Sequence, residues 1–418
     1  MSSGSWGSLD LRVWKMAFAR AVNTMGLSLV MSFLGVYVVE GRGYPAWIYG
    51  IICLVANLSQ SFANAWAGSL SDCIGRRPLI TGSLLVRSSV IALLGTQIAL
   101  DAPIWSIAAN IVVSSTLRGC FEPVAYALVA DVVTPEQRIS AFGLQRMGTN
   151  LGWAVGPALG GVLTLVVPYG VIFYLAAAGM IAAAIVTMTV RDPIAATPAA
   201  ATGAAAEPTT DIRGAIRESL RHPLLRLLLA GTILCALLET QMFSTFAIFM
   251  TDRLGESKAN VGWLYTVNGI GVLVLQIPAL ALVRRIGIRH TLPWASVVDA
   301  AGFAIIGFAT GAPSAALAMM TLTCAEVIFD PSQQTAIAEL ADPAHRGRTY
   351  GVVGLAQTLG IAVAPLIGGL LLDLYGDHHV LVWVTIATFG LGQAACFAAF
   401  VRRREPSLNV QPARGFAT

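Results

Sequence analysis

Long apolar stretches recur along the whole chain and are separated by short polar turns. They lie near residues 14–39, 46–70, 78–100, 103–130, 139–165, 169–190, 224–251, 260–283, 289–310, 313–340, 347–374 and 379–401. A helix needs about 20 apolar residues to cross the hydrocarbon core of a bilayer, and these stretches have that length or more. The pattern therefore predicts an all-α integral membrane protein with twelve transmembrane helices.

The second half of the chain repeats the first at an offset of 208 residues. The offset pairs Pro123 with Pro331, Pro135 with Pro343, Arg138 with Arg346, Gly143 with Gly351, Gly152 with Gly360 and Pro157 with Pro365. A repeat of this length predicts two pseudo-symmetric six-helix bundles, because each copy must form the same supersecondary unit.

A stretch of different composition separates the two copies. Residues 193–210 are rich in Pro, Ala and Thr, and a charged amphipathic patch follows, which favours a flexible linker and a short surface helix. We expect an N-terminal six-helix bundle at 1–190, a cytoplasmic linker at 191–222, a C-terminal six-helix bundle at 223–404 and a cytoplasmic tail at 405–418.

The basic residues are concentrated on one side of the predicted membrane. With the N-terminus inside, the inner loops and tails hold 19 of the 26 lysines and arginines, whereas the outer loops hold 3. Lysine and arginine are enriched in cytoplasmic loops, so both termini and the linker are expected in the cytoplasm. Arginine far outnumbers lysine in this alanine- and glycine-rich chain, which is typical of a GC-rich bacterial genome, and we expect the bacterial cytoplasmic (inner) membrane.

The composition narrows the class of protein further. Hydrophobic residues make up 56% of the chain and charged residues 11%, against roughly 25% charge in a soluble domain. The net charge of +4 follows from the basic inner loops, so no nucleic-acid partner is expected. The six cysteines lack the spacing of a metal site or a disulfide framework, and we find no nucleophile–base set or phosphate loop. We expect no metal, no cofactor and no enzymatic activity.

The loop after the second predicted helix carries a recognisable motif. It contains Gly68, Asp72, Gly75, Arg76 and Arg77 in the order Gly-x-x-x-Asp-x-x-Gly-Arg-Arg. A glycine turn between two helices with arginines on the inner side resembles the signature of the major facilitator superfamily. The resemblance implies twelve helices in two bundles. It also implies a latch, meaning a contact between this motif in the first half and the start of the eleventh helix in the second that holds the halves together. The matching second-half segment is degenerate, so a second latch is expected to be weak or absent.

The fifth predicted helix carries a second motif at Gly152, Gly156, Pro157, Gly160 and Gly161. It resembles the signature of the twelve-span drug–proton antiporters of the same superfamily. Glycines four residues apart let two helices approach closely, and an internal proline bends a helix. The resemblance implies a helix that rocks against a partner in the other half. Ordinary small-residue packing is the alternative interpretation, because the eleventh helix carries nearly the same pattern.

Several charged residues fall inside the predicted helices, where an unpaired charge is costly. Arg118 and Glu122 are four residues apart, so they can pair on one helix face. Their repeat counterparts are Glu326 and Asp330, and the resemblance places both helices at the central cavity. Buried acids that outnumber the buried bases cannot all be ionised at low cost. The candidates for proton coupling are therefore Arg118, Glu122, Glu326, Asp330 and, in the seventh helix, Glu239. A structural ion pair is the alternative for Arg118 and Glu122.

Other polar and aromatic residues are candidates for the substrate cavity. They are Arg20, Asn23, Phe121, Tyr126, Gln241, Phe243, Phe246 and Tyr265. About half of the aromatic residues are expected to be plain helix packing. Arg87 and Asp299 correspond in the third and ninth helices, where the offset between the copies is 212 residues. We expect a structural role for both, because these helices are peripheral in the superfamily. Arg146 is expected to pair structurally with Asp131 or Glu339.

Together these features predict a proton-driven exporter of small amphipathic or lipophilic molecules that works by alternating access, of the multidrug type. The expected partners are the substrate, protons and the lipid bilayer, and the expected state is a monomer. One alternative is a symporter or uniporter for a metabolite, sugar or lipid with the same fold. Another is a membrane sensor that binds a ligand without transporting it.

Overall fold

The computed structural model describes residues 9–134, 137–191, 212–340 and 346–403. Within these ranges the chain is helical and contains no strand. The long helices are α1 Leu11–Val36, α2 Ala46–Ile74, α3 Arg76–Ala99, α4 Ile104–Val132, α5 Arg138–Val166, α6 Tyr169–Met188, α7 Pro223–Phe243, α8 Lys258–Ile286, α9 Ile288–Ile306, α10 Ala312–Leu340, α11 Arg346–Tyr375 and α12 His379–Arg403. The predicted surface helix before the second half is also present, at Ile212–Arg221.

Local sequence explains where the helices begin and end. Asp10 precedes α1 and accepts a hydrogen bond from the backbone N–H of Arg12, 2.7 Å away. The Arg12 guanidinium also donates to this carboxylate and lowers the pKa of Asp10. Gly75 has φ 91° and Gly287 has φ 80°, a conformation that glycine adopts without strain, so α2 turns directly into α3 and α8 into α9.

The ends of α1 and α7 differ from straight helices. α1 continues into a π-helical turn at Tyr37–Gly41. α7 breaks at Ser244, resumes at Thr245–Ile248 and ends in a π-helical turn at Phe249–Arg253. The two irregular ends lie close together, because a side chain at Gly35 would meet Ile248. Both deviations occupy equivalent places in the two copies.

Within the described ranges, eleven helical segments are long and apolar enough to cross a membrane. α9 is not among them, although its 19 residues suffice in length. It starts with Arg289 and His290 and carries Asp299 further on. It nevertheless packs inside the bundle, where Gly302 meets Leu322 of α10. The predicted twelve-helix architecture is confirmed.

The two halves repeat the same packing. In the first half α1 packs on α5 and α6, α2 on α4, and α3 on α4 and α6. In the second half α7 packs on α11 and α12, α8 on α10, and α9 on α10 and α12. Adding six to each helix number converts the first set into the second, so the predicted pair of six-helix bundles is confirmed.

The halves meet where α2 packs on α11 and α5 packs on α8. At Gly50 an added Cβ would overlap the Leu366 Cα, and at Gly161 it would lie 2.5 Å from the Lys258 carbonyl oxygen. These contacts lie toward the α1–α2, α7–α8 and α11–α12 connections, which we call the closed end. The cavities described below lie on the other side of these contacts.

The predicted linker and tail fall partly outside the described residues. Residues 192–211 and 404–418 are not described, and neither are residues 1–8, 135–136 and 341–345. The side chains of Gly68, Asp72 and residues 346–348 also lie outside the described part of the structure. The predicted latch between this motif and the start of α11 therefore stays a prediction.

Candidate functional site

Three cavities lie between or beside the two halves. The central cavity, of about 330 Å³, is lined from the first half by Tyr126, Arg146, Thr149 and Asn150 and from the second by Glu239, Asp330, Gln333 and Gln357, among others. The side groove, of about 590 Å³, lies between α1 and α5 on one side and α8 and α10 on the other. The acid pocket, of about 120 Å³, lies within the second half.

Four carboxylates from three different helices line the acid pocket. They are Glu239 of α7, Asp299 of α9, and Glu326 and Asp330 of α10. Their repulsion is strong because they share a small cavity in a poorly solvated interior. Three of them are also reached from outside the pocket, since Glu239 and Asp330 line the central cavity and Glu326 lines the side groove. The pocket is therefore a concentrated negative site that is open to exchange with the space between the halves.

Neutral groups and a single arginine hold these carboxylates in place. The Cys235 thiol donates to Glu239 over 3.3 Å. The Asn268 amide donates to Glu326 over 3.2 Å and also to the Thr323 hydroxyl over 2.9 Å. Arg146 of α5 pairs with Asp330 over 3.2 Å and so joins the two halves.

One sequence-based expectation about this region is wrong. Arg146 was expected to pair with Asp131 or Glu339, but it pairs with Asp330, while Asp131 pairs with Arg76. Asp299, for which a structural role was expected, lines the acid pocket with three of the predicted proton-coupling residues. Its signal in the sequence was a carboxylate inside an apolar helix, where an unpaired charge is costly.

The first half carries the opposite charge. Arg20 of α1 is buried and its Nη1 donates to the Glu122 carboxylate of α4 over 2.5 Å. Arg118 approaches the same carboxylate to 3.9 Å, so the predicted pair four residues apart is present but is the weaker of the two contacts. Arg87 donates to Asn23 over 2.6 Å and to Ser114 over 3.2 Å. Glu122 is thus held by two arginines and does not line the acid pocket.

The predicted cavity aromatics separate into two groups. Tyr126 lines the central cavity, with the Arg20 guanidinium 4.0 Å from its ring centroid. Phe243 and Tyr265 line the side groove, where they stack at 5.5 Å. Phe121 and Phe246 are almost fully buried and pack between helices.

Gln241 also packs rather than lining any of the three cavities. Its amide donates to the Ala364 carbonyl oxygen of α11 over 2.8 Å, and its side chain is fully buried. Asn23 likewise accepts a hydrogen bond from Arg87 inside the first half. Sequence alone did not separate these two residues from cavity-lining ones, since all are polar residues in apolar helices.

The glycine–proline motif of α5 faces two partners. At Gly152, Gly156 and Gly160 an added Cβ would meet the backbone of α1, in the same half. Gly161 faces Lys258 of α8, and the Pro157 carbonyl oxygen lies against Gly262. The expectation that this helix contacts the other half therefore applies to one edge of the motif, while most of it packs within its own half.

The loop motif forms the turn that its glycine predicts. Gly75 joins α2 to α3, and Arg76 then pairs with Asp131 at the end of α4. This pair ties the motif to its own half. Among the described residues, no group of three or more His, Cys, Asp or Glu side chains is arranged to hold a metal ion.

The chain is similar to known membrane transporters over most of its length. The family model described as Major Facilitator Superfamily matches residues 16–244 and 228–417. The multidrug resistance protein MdtH of Aeromonas salmonicida is 28% identical over 415 residues, which covers 94% of this chain and 96% of that protein. An uncharacterized MFS-type transporter of Bacillus subtilis, YqjV, is 24% identical over 378 residues and covers 89% of this chain and 88% of that protein.

Solved structures show the same fold. The nucleoside transporter NupG superposes with a TM-score of 0.74 at 14% identity, covering 94% of this chain and 100% of that one. A bacterial homolog of the human lysosomal transporter Spinster, in an inward-facing and unoccupied conformation, superposes with a TM-score of 0.72 at 16% identity and covers 96% of this chain and 98% of that one.

Proposed function

This chain belongs to the major facilitator superfamily of membrane transporters, and from that premise we propose that it is a proton-coupled exporter of small amphipathic or lipophilic compounds. The observation that carries the proposal is the acid pocket, where Glu239, Asp299, Glu326 and Asp330 share one small cavity. The curated relatives named as multidrug resistance proteins support the efflux part at 25–28% identity.

Proton coupling follows from the charge balance of the pocket. Four carboxylates face one arginine, Arg146, so binding of a proton or of a cation relieves their repulsion. Protons and a cationic compound then compete for the same charges, which is the requirement for exchanging one for the other. Each proton that binds lowers the negative charge that attracts the cation, because all four groups border one cavity of about 120 Å³.

Alternating access requires an end that closes and an end that opens. The contacts of α2 with α11 and of α5 with α8 seal one end in the described structure. In the orientation inferred from the arginine distribution, this closed end is extracellular and the cavities open toward the cytoplasm. A compound loads from the inside in this state, and protons load after the halves rock to the other state.

The test uses purified protein in vesicles with an imposed pH gradient and a panel of cationic, neutral and anionic dyes. Addition of a transported dye should dissipate the gradient. Labelling of the exposed Cys73 with a membrane-impermeant maleimide reports which way the protein is inserted. Each of the neutral variants Glu239→Gln, Asp299→Asn, Glu326→Gln and Asp330→Asn should lower coupled flux by about tenfold, which corresponds to an increase of roughly 1.4 kcal/mol in the activation free energy.

Asp101→Asn is the matched control, because Asp101 is 84% exposed in a loop at the closed end and its positive φ also suits asparagine. It should leave coupled flux unchanged. Dye flux that moves no protons would indicate a uniporter, and saturable dye binding without flux would indicate a sensor. Full coupling with all four acids neutralised would refute the proposed proton site.

A further inference from the structure

The side groove combines apolar walls with an acidic inner face. Trp14 and Phe18 of α1, Leu151 of α5 and Leu273 of α8 form much of its wall. The rings of Trp153, Phe243 and Tyr265 line its deeper part. Glu326 and Asp330 of α10 border the same space. A volume of about 590 Å³ falls within the range of about 300–1,000 Å³ that drug-sized molecules occupy.

The groove opens on the outer perimeter of the bundle. Leu273 is 63% exposed and lies in a row with Val274 and Ile277, which are still more exposed. On the opposite wall Phe18 and Leu151 are also more than half exposed. Large apolar side chains exposed in a row on a membrane-spanning helix face lipid, since water would not favour them there. The mouth of the groove therefore faces the bilayer.

One ion pair separates this groove from the central cavity. Arg146, Asn150 and Asp330 line both spaces. Arg146 reaches from α5 to Asp330 of α10 over 3.2 Å, so its side chain crosses from one half to the other. The Arg146 side chain is 62% exposed. Asp330 is 32% exposed, so Arg146 is the accessible member of the pair and is the one that a cation in the groove can replace.

We propose that the side groove binds a lipophilic monocation that arrives from the bilayer, and that this cation displaces Arg146 from Asp330 to reach the central cavity. The proposal rests on the proposed export function and deepens it, because it assigns the charge of the substrate, its route and a specificity-determining residue.

Charge complementarity selects the occupant. The charged groups that face Asp330 are Arg146 from α5, Glu239 from α7, Asp299 from α9 and Glu326 on its own helix. A cation that replaces Arg146 restores the balance that the arginine provided. An anion would meet four carboxylates and compete with them for one arginine. The rings of Trp153, Phe243 and Tyr265 add cation–π attraction along the way.

The first experiment measures binding without a proton gradient, so that it stands apart from the test of coupled export. Full-length protein in lipid nanodiscs is titrated with tetraphenylphosphonium and with tetraphenylborate, which have similar size and opposite charge. We expect saturable binding of the cation and weak binding of the anion. Arg146→Gln should tighten binding of the cation by about tenfold, because it removes the competing charge from Asp330.

Arg253→Gln is the control for Arg146→Gln, since Arg253 pairs with Asp377 outside the groove. It should leave both affinities unchanged. Equal binding of the two ions, or an unchanged affinity in Arg146→Gln, would overturn the assignment of charge and of the arginine. Because Arg146 is largely exposed, this variant is expected to fold.

The second experiment fills the groove. Leu151→Trp places a larger side chain in its wall, and Leu359→Trp makes the same change at the repeat counterpart, which is 49% exposed and does not line the groove. Leu151→Trp should weaken tetraphenylphosphonium binding by about tenfold, whereas Leu359→Trp should bind like the unchanged protein. Equal affinity in both variants would place the site elsewhere. If the groove variants behave as expected but wild-type flux moves no protons, the export mechanism fails and the binding site stands.

Discussion

The Arg20 guanidinium lies between the Glu122 carboxylate and the ring of Tyr126. Its Nη1 donates to Glu122 over 2.5 Å, and its Nη2 reaches the Glu122 carbonyl oxygen over 3.4 Å. Since Arg20 is only 2% exposed, these contacts replace the water that the charge has lost. The pair connects α1, which lines the side groove, to α4, which contributes Tyr126 to the central cavity.

Replacing this arginine should destabilise the first half. Arg20→Gln leaves the Glu122 carboxylate with Arg118 alone, at 3.9 Å, and removal of one partner from a buried pair costs about 3–5 kcal/mol. We expect a marked fall in the midpoint of thermal unfolding in detergent. Arg226→Gln, at an exposed position of α7, is the control and should unfold like the unchanged protein.

A double variant separates the lost pair from lost packing. Arg20→Gln combined with Glu122→Gln removes both charges, so it should recover part of the stability that the single variant loses. Equal unfolding midpoints for Arg20→Gln and the unchanged protein would show that the pair contributes nothing.

The sequence identified which residues are charged inside the membrane but not which of them meet. Glu122, Glu239, Glu326 and Asp330 were marked as candidates by their charge inside apolar helices, and the structure brings the last three to one cavity while Glu122 pairs in the first half. Asp299 was missed because helical spacing does not give the rotation of α9 against its neighbours. The partner of Arg146 was missed for a similar reason, since that contact crosses between halves whose relative placement no local pattern encodes.

α5 packs on both halves, as α2 does. An added Cβ at Gly156 would overlap the Ser28 side chain of α1, and one at Gly161 would lie 2.5 Å from the Lys258 carbonyl oxygen of α8. A side chain in either place would require backbone movement, because helix backbones approach most closely where glycine stands. The glycines therefore allow close packing of α5 on α1 within its own half and on α8 at the closed end.

Substituting the glycine at the contact between halves should impair transport. Gly161→Ala inserts a Cβ against the α8 backbone, so the closed end cannot seal as tightly and drug-driven proton flux in vesicles should fall by about tenfold. Gly143→Ala is the matched control in the same helix, because nothing lies within 4 Å of its added Cβ. It should keep full flux, with the helix stabilised by up to about 1 kcal/mol. Equal flux in the two variants would argue against a tight seal at Gly161.

Helix positions followed well from the sequence, and helix irregularities did not. The turn at Gly75 was indicated by residue type, because glycine adopts that backbone without strain, and the structure shows the same conformation at Gly287. The break at Ser244 and the π-helical turns at Tyr37–Gly41 and Phe249–Arg253 carry no such marker. They occur where α1 and α7 approach each other across the halves, so tertiary packing rather than local preference sets them.

The buried charges of the two halves differ in sign. In the first half Arg20 and Arg118 hold the Glu122 carboxylate and Arg87 is bound by neutral groups, while four carboxylates share the acid pocket of the second half. The sign of the charge is reversed at two repeat positions, since Arg87 corresponds to Asp299 and Arg118 to Glu326, and it is kept at a third, where Glu122 corresponds to Asp330. Opposite charge on the two walls attracts the halves toward each other. In the proposed mechanism, protons or a cation that bind in the acid pocket would weaken that attraction and so couple the charge of the second half to how the halves separate.

One carboxylate also bridges the halves at the closed end. Asp373 of α11 accepts hydrogen bonds from the backbone N–H groups of Ala46, over 3.1 Å, and Trp47, over 2.9 Å, at the N-terminus of α2. A helix N-terminus leaves such donors unpaired, and losing a side-chain cap costs about 1 kcal/mol, or roughly a fivefold change in population. Asp373→Ala should therefore shift the protein toward states in which this end is open.

Spin labels at positions 101 and 308, which are exposed in the two halves near this end, measure the shift in a background lacking the exposed Cys73. Asp373→Ala should increase the fraction of long separations, because it removes the carboxylate and leaves the rest of α11 intact. Asp377→Ala is the matched control, since Asp377 is fully exposed in the connection after α11 and pairs only with Arg253 among the described residues. It should leave the distances unchanged. If both variants give the same distribution of distances between the labels, the seal must come from the close helix packing at glycines such as Gly50 and Gly161. The Asp373 carboxylate would then only cap the N-terminus of α2.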